Sequence, residues 1–173
     1  MKAGSMQTVF PYRESDRGDE QLLRAAERAS DAPVMLIRLR PGTKVTKRPG
    51  QENFNYGDYY AFSKICTHLG RPASLYDSQD HISLCPCHQT QFLITDSAKP
   101  IFGPATRALP QLPITVNDEG YFVARGDFIE PIGPHSGNAI TMSGIRANQV
   151  SGDADDRIER FKSRLLEGAG VAE

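Results

Sequence analysis

The sequence predicts a mainly β chain, an antiparallel β sandwich, on three observations. Short apolar runs rich in β-formers recur between residues 34 and 125, each bounded by Gly, Pro or Asn. Two of them, Ile114 to Val116 and Tyr121 to Arg125, flank Asn117-Asp118-Glu119-Gly120 and read as a hairpin. Gly 15 and Pro 12 in 173 residues favour a loop-rich fold. At 39% hydrophobic residues, a packed core for one domain with extensions is within reach.

In chain order, residues 1–7 come first. Met1 to Met6 lacks the apolar core of a signal peptide, and Gly4-Ser5-Met6 reads as a vector-derived scar, so 1–7 is assigned to scar or linker. Residues 19–30 read as a short helix, with acids in the first turn and Pro33 beyond its end. Val34 to Leu39 is a strand stopped by Pro41-Gly42. Residues 46–58 are polar and read as loop; Tyr59 to Ile65 is a strand that runs into Cys66. Short strands follow near 82–84 and 91–94, then a Pro/Gly-rich loop over 99–113 and the hairpin. After Gly133-Pro134 the composition turns to Ser, Gly and Asn, so the tail is set at 135–173. Within it, residues 153–167 predict an amphipathic helix with Ile158, Phe161, Leu165 and Leu166 on one face.

The formal net charge of -1 gives no basic excess for nucleic acid. No stretch approaches the ~20 apolar residues that cross a bilayer, so the chain as given is expected to be soluble. Three cysteines, Cys66, Cys85 and Cys87, cannot form a fully paired disulfide framework. Two lie beside histidines, which favours metal ligation.

The chemistry-bearing pattern is Cys66-Thr67-His68, sixteen residues, then Cys85-Pro86-Cys87-His88. Each arm offers one thiolate and one imidazole, and each follows a β-like run. Such a set suits a [2Fe–2S] cluster with two thiolates on one iron and two imidazoles on the other. The neutral imidazoles leave less negative charge on their iron, which is then the one reduced, at a higher potential than in an all-cysteine cluster. An imidazole ligand that can lose its second proton also couples electron to proton transfer. The competing reading is a Cys2His2 zinc site. Zinc fingers, however, pair cysteine with cysteine and histidine with histidine, whereas here each arm mixes the two.

At these residues the sequence resembles the Rieske iron–sulfur subunit of cytochrome bc-type quinol:cytochrome c reductases. The family motifs CTHLGC and CPCHGS stand here as Cys66-Thr67-His68-Leu69-Gly70-Arg71 and Cys85-Pro86-Cys87-His88-Gln89-Thr90. Residues 102–110 resemble the proline loop that covers the cluster. The likeness runs from about Thr8 to Pro134 and is nearest the actinobacterial, menaquinol-using form. It implies a Rieske-type sandwich over 8–134 with a smaller cluster-binding part at about 60–112. It implies Cys66, His68, Cys85 and His88 as metal ligands, Thr90 as a cluster-binding hydroxyl, and His68 and His88 as the catalytic, proton-coupled imidazoles. Leu69 would pack at the docking tip. The chain would be the extrinsic head of a subunit with an N-terminal membrane anchor. It would sit on the outer face of the cytoplasmic membrane and carry electrons from menaquinol at cytochrome b to cytochrome c, as a redox subunit of quinol–cytochrome-c reductase.

Two departures stand out. In the family, the sixth position of the first motif is a cysteine paired with the one matching Cys87; here it is Arg71, so that disulfide cannot form within the chain. Such bonds typically contribute ~2–4 kcal/mol. A guanidinium there would raise the potential. The family's Ser and Tyr donors to sulfur map onto Thr90 and Phe92, and loss of the Tyr hydroxyl would lower the potential. The alternative functions are a soluble Rieske ferredoxin feeding an oxygenase, which the missing disulfide favours, and a zinc-bound or metal-free binding module. His81 and His135 read as surface histidines, and Arg24 and Arg28 as a solvated helix face.

Overall fold

The computed structural model describes residues 1–13, 21, 33–134 and 161–163. Twelve strands lie among them: β1 (Ser5–Val9), β2 (Tyr12–Arg13), β3 (Val34–Arg38), β4 (Tyr59–Ser63), β5 (Leu75–Asp77), β6 (Ile82–Cys85), β7 (Thr90–Leu93), β8 (Lys99–Phe102), β9 (Gln111–Leu112), β10 (Ile114–Val116), β11 (Phe122–Ala124) and β12 (Phe161–Ser163). They form three four-stranded sheets, ordered β1-β3-β4-β9, β10-β11-β12-β2 and β5-β6-β7-β8. Every strand pairing within them is antiparallel.

Side-chain alternation makes β1-β3-β4-β9 the middle layer. On β3, Met35 and Ile37 join Phe92, Cys66 and Cys85 in one apolar cluster, while Val34 and Leu36 join Ile114, Phe122 and Ala124 in another. β4 splits the same way, with Tyr60 and Phe62 on the first side and Ala61 on the second. A strand covered on both faces reads as a continuous apolar run, and Val34-Met35-Leu36-Ile37 is one. All four are at most 2% exposed, and each contributes about 1.5–3 kcal/mol by its burial. The second cluster closes the sandwich against β10 and β11; the first carries the third sheet, β5-β6-β7-β8.

The β10–β11 hairpin forms as expected, in the register Ile114↔Ala124 and Val116↔Phe122. Its turn is held by Asn117 Oδ1, which accepts from the amides of Glu119 and Tyr121, and by Gly120 at φ +82°. Two expectations change. Residues 1–7 are not a linker outside the fold, because β1 pairs with β3 from Ser5↔Arg38 to Val9↔Val34. The strand is amphipathic only in part, and its edge pairing with an apolar neighbour leaves little periodic signal. Within the helix expected over 153–167, Phe161–Ser163 are instead a strand between β11 and β2, where the open edge of β11 offers backbone partners. The rest of that helix lies outside the described residues. So does the helix at 19–30, apart from Gln21, which is helical. Among the described residues no helix is long and apolar enough to cross a membrane.

Candidate metal centre

Two loops, one leaving β4 of the middle layer and one joining β6 to β7, carry the four residues of the motif. The first leaves β4 and closes on itself: the Cys66 amide donates to Arg71 O at 2.8 Å and the Gly70 amide to Cys66 O at 2.9 Å. Gly70, at φ +74°, supplies the left-handed residue this closure needs. The second loop is the tip of the β6–β7 hairpin, where Cys85 and Thr90 are paired across the ladder and residues 86–89 turn the chain. Here the left-handed position falls on Gln89, at φ +57°, a conformation that costs a side chain-bearing residue.

The four side chains come together as two like pairs. Cys66 and Cys85 are each 1% exposed, and their thiols lie within hydrogen-bonding reach of each other. The His68 and His88 rings meet edge to face, with centroids 4.7 Å apart. His68 is half-buried and His88 exposed. So the thiols face the interior and the imidazoles the surface.

The electrostatics ask for a cation. Burial pushes the Cys66 thiol up to about 11; amide donors from His68 and Leu69 pull it back, and the neighbouring Cys85 raises it again. Burial alone thus disfavours a Cys66 thiolate, and a bound metal centre would reverse that preference. His68 Nδ1 is buried with no hydrogen-bond partner among the described residues, and so is Thr90 Oγ1. Buried polar atoms are nearly always paired. One unshared imidazole nitrogen and one unshared hydroxyl beside two buried thiols are the atoms a metal–sulfur group would engage. A two-iron cluster takes two protein ligands per iron, and the thiol pair and the imidazole pair match that division. The residues present therefore fit a [2Fe–2S] group.

The loop after β8 packs over this site. Gly103 sits so close to β7 that an added Cβ would lie 2.6 Å from Thr90 Cα. Leu69, beside His68 on the first loop, and Phe102, at the end of β8, are each 58% exposed, and Ile101 is 44% exposed. Phe92, fully buried in the core, has no hydroxyl to offer. Arg71 and Cys87 are exposed, and Cys87 is a free thiol. His81 is not a plain surface residue: it is half-buried, left-handed at φ +56°, and 3.3 Å from the Tyr76 hydroxyl. His135, Arg24 and Arg28 lie outside the described residues. Sequence reasoning missed Gly103 and Gln89. For Gln89 a signal was present, since a glycine of the family motif is replaced there by a residue that must still turn left-handed.

Comparison with known proteins agrees with this geometry. The family described as the Rieske [2Fe-2S] domain matches residues 11–113. The chain is 54% identical over 142 residues to the cytochrome bc1 complex Rieske iron-sulfur subunit of Mycobacterium tuberculosis H37Rv, covering 78% of this chain and 33% of that protein. It is 53% identical over 147 residues to the subunit of the same name from Corynebacterium diphtheriae, covering 78% and 36%. The chain thus spans about a third of the length of these relatives. In fold it is similar to the soluble domain of the Rieske protein II from Sulfolobus acidocaldarius, with a TM-score of 0.52 at 20% identity over 78% of this chain and 75% of that one. Matched over more than half its length, and with paired thiols and imidazoles that suit a Rieske-type [2Fe–2S] cluster, the chain belongs to the Rieske [2Fe-2S] domain family.

Proposed function

We propose that this chain is the electron-carrying head of a bc-type quinol:cytochrome c reductase subunit. Cys66 and Cys85 would hold one iron, His68 and His88 the other, and Thr90 would donate its hydroxyl to a sulfur. The bound cluster supplies a one-electron redox centre. The observation that carries the reading is the segregation of the four side chains: thiols 1% exposed beneath, imidazoles in ring contact above them. The buried thiolates keep charge in the low-dielectric interior, where the His68 and Leu69 amides stabilise it. The outer pair meets the partner. His88, the more exposed ring, would accept a hydrogen bond from a quinol hydroxyl and take up its proton. Leu69 and Phe102 exclude water around that contact.

The relatives' names support a place in a bc1 complex. On this reading the partners are the cytochrome b and cytochrome c subunits, the reductant is menaquinol, and the setting is the outer face of the cytoplasmic membrane. A buried Phe92 without a donor hydroxyl suits a lower-potential quinol. Iron and acid-labile sulfide analysis with EPR of the reduced full chain tests the site. The expected result is two irons, two sulfides and a Rieske signal, lost in His68→Gln and in Cys85→Ser. Retention of the signal in either variant would remove those residues from the ligand set.

A further inference from the structure

Arg107 stands outside the motif, on the loop between β8 and β9, yet it joins three parts of the site. Its Nη1 donates to Pro131 O at 3.0 Å and its Nη2 to Gly133 O at 2.6 Å. Its own carbonyl accepts from the Thr67 hydroxyl at 2.6 Å, and Thr67 lies between Cys66 and His68. The strap 131–134 also touches the first loop directly. A Cβ added at Gly133 would lie 3.5 Å from Ile65 Cγ2, and one added at Gly70 would lie 3.4 Å from Pro134 Cδ. Ile132, 1% exposed, anchors the strap in the same apolar cluster as Ile65 and Leu112.

The loop that carries Arg107 holds the second ligand loop as well, through the close approach of Gly103 to Thr90. It therefore bridges both loops without a covalent bond. No such bond is present elsewhere: Cys87 is a free thiol and position 71 is arginine. The planar fork of a guanidinium can satisfy two carbonyls at once, which an ammonium on a flexible stem cannot do in one fixed geometry.

We propose that Arg107 is a positioning residue that replaces the missing cross-link, clamping the first ligand loop to the strap 131–134. The proposal rests on the ligand assignment above. It treats the strap as part of the cluster site.

The test uses the full, cluster-loaded chain with two readouts: bleaching of the visible absorption under an iron chelator, and hydrogen exchange of the amides at 66–73. Arg107→Gln is expected to speed both by roughly tenfold to a hundredfold, the change that losing one or two charge-assisted hydrogen bonds produces. Arg107→Lys should behave nearly as badly. Thr67→Val cuts the same tie from the other side while leaving the strap contacts intact, so it carries the test if Arg107→Gln does not fold. Adding Arg71→Cys to Arg107→Gln, with oxidation onto Cys87, should restore most of the lost protection. Arg125→Gln, which removes a guanidinium bonded to Asn53 O away from the site, should change neither readout. Unaltered exchange at 66–73, exchange confined to 131–134, or no rescue by the disulfide would each overturn the clamp. Faster exchange without faster bleaching would instead count against Cys66 and His68 as ligands.

Discussion

Replacing Gly103 by alanine is the sharpest probe of how the site is packed. At φ +89° the backbone is in the left-handed region. An alanine Cβ there would lie 2.6 Å from Thr90 Cα and 2.9 Å from both Thr90 N and Thr90 Oγ1. Two of these three atoms are main chain, in a strand paired with Cys85, and Thr90 is fully buried. Neither partner can swing aside, so β7 or the loop must shift. Left-handed strain of about 1–2 kcal/mol adds to overpacking of about 1–3 kcal/mol, for a loss of roughly 2–5 kcal/mol. Gly42→Ala is the matched control: its φ is +80° and nothing lies within 4 Å of the added Cβ, so only the strain remains, about 1–2 kcal/mol. Urea unfolding of the two variants, read as midpoint times slope, isolates the contact by difference. Because the displaced residue carries the unshared hydroxyl, the Gly103 variant should also lose its visible absorption sooner. If the two variants were equally stable, the close approach at Thr90 would be unreal.

Three further outcomes follow from single residues. Gln89→Gly removes a side chain from φ +57° and should raise stability by about 1 kcal/mol; a loss of stability in urea would mean the Gln89 side chain makes a contact that outweighs its strain. Phe92→Tyr restores a donor near sulfur and should raise the reduction potential by some tens of mV, up to ~100 mV, in film voltammetry, whereas Thr90→Val should lower it; a shift of opposite sign in either would refute the donor assignment. Burial holds the Tyr76 phenol at about 12 against an ordinary 10.0, with Arg40 opposing and Asp77 adding to the rise. The fold prefers the neutral phenol, so its contribution is complete below pH 10 and is lost as pH climbs to about 12; Tyr76→Phe should flatten the stability curve in that window alone, and an unchanged slope would deny the burial.

The two ligand arms could be read from the chain because the chemistry is concentrated in seven residues, 66–68 and 85–88, and because each arm follows a β-like run. Val34–Arg38 and Tyr59–Ser63 were legible because both faces are buried, so nearly every side chain is apolar. The strands that escaped notice are edge or two- and three-residue pieces. Leu75–Asp77 is exposed–intermediate–exposed along its length, and Gln111–Leu112 is held by only two register pairs with β4. Such strands exist through their partners' backbone and leave no period of their own. A second class of missed feature is conformational. Gly103 looks like any loop glycine until its distance to Thr90 is known, and Arg107 looks like a surface charge until its two acceptors are found 24 and 26 residues away.

The missing cross-link changes what the remaining contacts must do. A disulfide acts mainly on the unfolded chain and needs no particular set of neighbours to do so. Hydrogen bonds and close packing act only in the folded site, and each fails when its own geometry is lost. A site tied by Thr67, Arg107 and the Gly103–Thr90 approach is therefore held through one loop, 103–110, whose inner residues Ala105, Ala108 and Leu109 are buried in the core. Exposed Phe102, at the end of β8, leads directly into this loop. Whatever docks against Leu69 and Phe102 thus presses on the same segment that keeps the two ligand loops together, and docking should slow, not hasten, loss of the cluster. Measuring chelator bleaching of the chain alone and in its assembled complex tests this: equal rates would mean that the tip and the ligand loops are held independently.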